Sequence, residues 1–282
     1  FKERMPETPS IAEWLFKELK EGDIIGMDGW VNGIDFKESL YEACSPKGIQ
    51  VKSVTDPFDE IWEDRPALPS EPVFILEEKY AGLSCRKKIE LIREEIHKNN
   101  CQSILLSALD EIAWTLNLRG SDVHCNPVFI SYMHITQEKL SPEVKTYLEE
   151  NGVTIKSYNK IESDIKNVRQ NIQVSPTLNM KLFNAAGYPS SHGIDTGHKI
   201  MEIPSPVSLL KAVKNETEMN GFRHAMERDG IAMVKFLKWL KEAVPAGNES
   251  ELSVDRKLYE LRAEQANFKG ISFDTIAGYK EH

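Results

Sequence analysis

The sequence holds 282 residues, 40% of them apolar and 28% charged, with 35 basic side chains against 44 acidic ones. A net charge of -9 lacks the clustered basic face that a nucleic-acid binder needs. No apolar run approaches the roughly 18 residues of a membrane span. The opening FKERMPETPS carries no apolar core of the kind a secretory leader has. A reducing cytoplasm is therefore the expected setting. There Cys44, Cys85, Cys101 and Cys125 act as small, partly buried apolar residues, and no CxxC pair among them suggests a zinc knuckle.

In chain order, Pro9 and Ser10 lead into Ile11, Trp14, Leu15 and Leu19 at helical spacing, with Gly22 as a stop. A short buried strand is expected over Asp23–Asp28. A second amphipathic helix carries Phe36, Leu40, Tyr41 and Cys44, and a strand alternates through Ile49, Val51 and Val54. The rhythm is that of α/β folds, with too few strands to close a sheet. Pro57, Pro66, Pro69 and Pro72 then make an extended connection. A domain boundary is placed near Pro69.

The next stretch is a fuller α/β unit. A strand over Val73–Leu76 precedes a helix capped by Ser84, with Cys85, Ile89, Ile92 and Ile96 on its apolar face. Ser103–Leu106 reads as a buried strand. Ser107 and Asp110 form an approximate capping box for a helix with Ile112, Trp114 and Leu116. A polar corner at Leu118-Arg119-Gly120 leads to a long strand over Val128–Ile135, apolar enough for mid-sheet. Ser141-Pro142-Glu143 opens a helix that closes at Asn151-Gly152. Then come a strand Val153–Tyr158, a helix around Ile161, a strand Ile172–Val174, a helix Leu178–Ala186, a loop Gly187–Gly197 and a strand Lys199–Ile203.

Past Pro204-Ser205-Pro206 the pattern turns helical. Asn215 is a good N-cap for a helix of about thirty residues, with Glu216 and Glu218 suiting its positive end. Met219, Phe222, Met226, Met233, Phe236, Leu237 and Leu240 trace one stripe, and Pro245 and Gly247 end it. Ser253 is expected to cap a last helix through Leu258, Leu261 and Ala263.

Five segments in this order are distinctive: Trp62–Pro66, Ser107–Tyr132, Leu210–Asn215, Arg262–Gln265 and Ile271–Ile276. On these residues the chain resembles the aminopeptidase P group of the creatinase/prolidase superfamily. That resemblance implies an α/β, creatinase N-terminal-like (ribonuclease H-like) three-layer domain with a mixed sheet. It would be flanked by a partial α/β domain and the first helices of a pita-bread domain. The implied boundaries are 1–68, 69–205 and 206–282. It further implies a cytoplasmic hydrolase that removes a residue preceding proline, commonly a homodimer, acting on proline-containing peptides. Such enzymes use two divalent metals, usually manganese, held by two aspartates, one histidine and two glutamates.

Those ligands would belong to a segment following His282, so no cofactor and no activity are expected of these residues alone. Asp195-Thr196-Gly197 is a superficial substitute only, because Pro206 stands where a second aspartate is needed. His124 and His134 are a weak candidate pair for one metal, and no Gly-x-Ser-x-Gly elbow or phosphate-cradling loop is present. Arg119, Asp122 and Asn126 carry two readings. They line a surface touching peptide or a neighbouring subunit, or Arg119 pairs with Asp122 or caps the preceding helix while Asn126-Pro127 makes a turn. A non-catalytic peptide- or protein-binding module on the same scaffold is the alternative function.

Overall fold

The computed structural model describes residues 5–136, 151–187 and 199–278. They fall into two compact units, one drawn from Phe1–Leu68, Ile89–Ile112 and Ser131–Leu209, the other from Pro69–Lys88, Ala113–Ile130 and Leu210–His282. Helices are α1 (Ile11–Glu18), α2 (Ile34–Cys44), α3 (Glu78–Ala81), α4 (Cys85–Lys98), α5 (Leu109–Leu116) and α6 (Ile161–Ile165). They continue as α7 (Met180–Ala185), α8 (Pro206–Ala212), α9 (Glu216–Ala246) and α10 (Glu251–Ala263). Strands are β1 (Ile24–Asp28), β2 (Gln50–Val54), β3 (Phe74–Ile75), β4 (Ser103–Leu106), β5 (Leu118–Arg119), β6 (Met133–Thr136), β7 (Ile172–Val174) and β8 (Ile200–Glu202).

In the first unit β1 and β2 pair in parallel, Ile24 opposite Gln50. A four-stranded sheet runs β6-β4-β7-β8, antiparallel at β4–β6 and parallel at β4–β7 and β7–β8. The mixed α/β class expected from the sequence is what the structure shows. Ile104, Leu105 and Leu106 are each at most 2% exposed, the burial expected of a strand paired on both edges. The core joins Ile34 of α2 to Leu105, Ile172, Val174, Leu178, Leu182 and Phe183. The amides of Ile34 and Met180 reach the carbonyls of Leu178 and Asn32, each at 3.0 Å, while Met27 of β1 packs with Leu40 and Met180 in a second cluster.

Local signals act as the sequence suggests at several helix starts. Ser10 and Glu13 form a reciprocal capping box, the Ser84 hydroxyl accepts from the Lys87 amide at 3.2 Å, and Asn215 caps a 31-residue α9. Other expectations are corrected. No strand forms over Val153–Tyr158; Ile155 is 68% exposed, and these residues pair with no described strand. The long strand over Val128–Ile135 shrinks to β6, because Pro127 has no amide to donate and the Asp122 carboxylate takes the Ile130 amide at 2.7 Å. Ser250, not Ser253, caps α10; each serine hydroxyl accepts from the other's amide, at 3.2 and 2.8 Å. The strand β1 is present but largely exposed, with Met27 its one buried residue. The helix expected from Ser141 lies outside the described residues, as does most of the Gly187–Gly197 loop.

The α9 stripe is divided. Ala232 and Phe236 pack on Leu258 and Leu261 of α10, whereas Phe222, Met226 and Leu237 are 57%, 65% and 53% exposed. Ile172 sits unexposed between Ser103 and Ile200 in the sheet. Ile172→Ala should therefore lower stability by about 2–5 kcal/mol, read as a urea midpoint shift at unchanged m value.

Candidate functional site

The distinctive corner lies in the second unit and is built around a buried lysine. Lys88, in the first turn of α4, is 1% exposed. Its ammonium donates to the Trp114 carbonyl at 3.0 Å and to Asn117 Oδ1 at 2.7 Å, and it lies 4.1 Å from the centre of the Trp114 ring. Burial pushes its pKa down to about 8, with Glu218 opposing that and Arg119 adding to it. Asn117 ends α5 in the left-handed region at φ 52°, a conformation asparagine tolerates better than most residues. Its side-chain amide donates to the Leu83 carbonyl at 2.8 Å.

The start of α9 joins the same cluster. Glu218 closes the α9 capping box by accepting from the Asn215 amide at 3.0 Å, and its other oxygen accepts from the Trp114 indole at 3.3 Å. The Asn215 side chain donates to the Ala81 carbonyl at 2.9 Å. Gly82 stands against it at φ 72°, where an added Cβ would meet Asn215 Oδ1 at 2.4 Å. Only glycine meets both demands there.

Arg119 donates through Nη1 to the carbonyls of Ala113 and Leu118, at 2.9 and 2.8 Å. It thus takes a carbonyl of the preceding helix, and burial lowers its pKa against the pull of Glu218. Asp122 accepts from the Glu71 amide at 2.9 Å and the Ile130 amide at 2.7 Å. Asn126 is exposed and forms a turn, its amide donating to Val123 at 3.2 Å and its carbonyl accepting from Val128 at 2.8 Å. Trp114 and Phe129 are buried as expected. Lys88, Asn117 and Glu218 are the residues sequence reasoning did not single out as a group. The usable signal was a lysine on the α4 apolar face, between Cys85 and Ile92 at helical spacing.

Of ligating side chains, His124, Cys125 and Asp274 bring one donor atom each to within 4.8 Å of one another, the one such group among the described residues. Burial and the charge of Asp274 both raise the Cys125 thiol pKa. His134 lies in β6 of the first unit, where burial lowers its ring pKa to about 4, and it is not a member of that group. Cys85 is buried and pushed up to about 12, which leaves it a protonated, inert thiol. In the first unit a crevice of about 300 Å³ opens at the carboxyl ends of β4 and β7, lined by Ser107, Ser175, Thr177, Ser205 and Glu111 among others. It holds neither histidine nor cysteine.

A two-metal hydrolase bridges ions about 3.5–4 Å apart with shared carboxylates. The one group above supplies a single carboxylate and does not fit such a pair.

A family model described as "Creatinase/Prolidase N-terminal domain" matches residues 64–218. The chain is 34% identical over 292 residues to "Probable Xaa-Pro aminopeptidase P" of Botryotinia fuckeliana, covering 98% of this chain and 45% of that protein. It is 32% identical over 301 residues to "Xaa-Pro aminopeptidase 1" of Dictyostelium discoideum, covering 98% and 46%. Among solved structures, the X-prolyl aminopeptidase from Caenorhabditis elegans, described as a cytosolic enzyme with a di-nuclear active site, superposes with a TM-score of 0.86 at 28% identity. That likeness covers 98% of this chain and 47% of the other. The chain thus spans about half the length of the curated relatives it matches.

The buried lysine gives the corner a pH signature. Lys88 loses its proton near pH 8 in the fold but near 10.5 when unfolded, so the unfolded chain binds more protons between those values. The Lys88 contribution to stability therefore rises with pH across that window. Urea titrations from pH 8 to 10.5 should show the stability of the wild type rising on the order of 3 kcal/mol relative to Lys88→Met, the opposing effect of the raised Cys85 thiol being common to both.

Proposed function

The chain belongs to the Creatinase/Prolidase N-terminal domain family, and on that premise we propose that it is the scaffold portion of an Xaa-Pro aminopeptidase-like metallopeptidase. The substrate class is peptides with proline in second position, and the setting is cytoplasmic, as the nematode relative is described. The whole protein would use two divalent ions, manganese by the resemblance. The observation that carries the reading is likeness along nearly the whole chain to Xaa-Pro aminopeptidases. These 282 residues then shape substrate access and subunit contacts.

Within this reading residues 1–68 are part of a first creatinase N-terminal-like domain, 69–205 are the second, and 206–282 open a pita-bread domain. The family match over 64–218 supports the middle assignment. Arg119, Asp122 and Asn126 form the face turned to peptide or to a second subunit. Asp122 acts by holding the turn that carries exposed Asn126, and Arg119 by taking a carbonyl of the preceding helix. The exposed apolar side chains of α9 support homodimerisation, since a patch of this kind gains by being covered.

Two measurements test the reading. Incubated with manganese and an Xaa-Pro peptide, the 282-residue chain should release no product above the metal blank. Turnover that scales with protein and stops on chelation would overturn the proposal. In sedimentation velocity the chain should shift towards dimer as concentration rises. A single monomer boundary at every concentration would exclude self-association.

A further inference from the structure

We propose that His124, Cys125 and Asp274 form a site for one divalent transition-metal ion of zinc-like chemistry, clamping the corner loop to the Phe273–Ile276 segment of the same unit. His124 Nε2 lies 2.9 Å from Asp274 Oδ1, and Cys125 Sγ lies 4.0 Å from the same oxygen. Ligands of a tetrahedral zinc ion, with bonds of about 2.0–2.3 Å, stand roughly 3.3–3.8 Å apart. The observed spacings straddle that range, so small side-chain rotations seat an ion between the three donors.

The donor set selects the ion. An imidazole nitrogen, a thiolate and a carboxylate together suit zinc and its neighbours, whereas magnesium and calcium avoid sulfur. Three protein ligands leave a fourth position for water or another oxygen donor. The loop is held in advance of binding. Asp122, near its start, accepts from the Ile130 amide at its far end and from the Glu71 amide of the preceding connection, so it supports the loop and is not one of the three grouped donors. His124 and Asp274 are exposed and Cys125 is half-buried, so the ion reaches the donors from solvent. The two segments are 150 residues apart in sequence, which makes the ion a long-range cross-link.

The test is titration of the reduced 282-residue chain with cobalt(II), a coloured substitute for zinc. One equivalent should produce a thiolate-to-cobalt charge-transfer band with tetrahedral ligand-field bands, and zinc should bleach them. Cys125→Ser should abolish the charge-transfer band. His124→Gln and Asp274→Asn should each weaken binding by at least about tenfold, and Asp274→Asn, at an exposed position, keeps the test independent of any effect of Cys125→Ser on folding. Zinc should also slow alkylation of Cys125 tenfold or more, while buried Cys44, Cys85 and Cys101 are unaffected by it. No band at saturating cobalt, a band that survives Cys125→Ser, or an unchanged alkylation rate would each overturn the site and leave a plain His124–Asp274 ion pair.

Discussion

The corner of the second unit is governed by one buried charge. An ammonium with 1% of its surface exposed costs several kcal/mol to desolvate unless acceptors surround it. The acceptors that Lys88 finds are the Trp114 carbonyl and the Asn117 amide oxygen, with the indole face beside them. The carbonyl lies in the last turn of α5, where it accepts only the long 3.3 Å bond from the Asn117 amide, and its second lone pair takes the ammonium. Asn117 can supply the second only by taking the left-handed conformation that ends the helix. That same residue then donates to Leu83 through its side chain and accepts from Leu76 through its backbone, which sets the short β3–β5 pairing. Helix end, strand pair and the indole that reaches Glu218 all follow from housing Lys88.

The neighbouring polar residues obey the same rule. Arg119 spends its guanidinium on two backbone carbonyls, and Asp122 spends both oxygens on two backbone amides. Gly120 is confined by packing instead: an added Cβ would meet Phe129 Cβ at 2.8 Å and the Val128 carbonyl at 3.1 Å. A tight corner leaves backbone groups without helix or sheet partners, and side chains of this type are how such groups are satisfied.

The sequence showed the periodic parts of this architecture and hid the parts that depend on distant partners. The buried strand at Ser103–Leu106, the long α9 and its Asn215 cap were legible because spacing and capping are local. Val153–Tyr158 was expected as a strand, but a strand needs a neighbour, and no local pattern says whether one arrives. Val128–Ile135 failed for a related reason: Asp122, six residues upstream of Val128, removes an amide from the ladder. The mixed sheet itself was read from the family resemblance, not from the strand patterns. Lys88 was passed over because lysine is ordinarily solvent-facing, although its place on the α4 stripe marked it. The convergence of His124 and Cys125 with Asp274 joins residues 150 positions apart and was invisible to any window of sequence.

These commitments bear on what the corner can contribute to function. For Arg119 or Asp122 to reach a ligand, each must surrender charge-assisted hydrogen bonds worth roughly 1.5–3 kcal/mol apiece. A binding face gains little by dismantling the turn that forms it. The groups of the turn not so committed are the exposed Asn126 side chain and its outward backbone. Asp122 sets where that turn stands. The side chains of this corner are thus committed first to holding its own backbone.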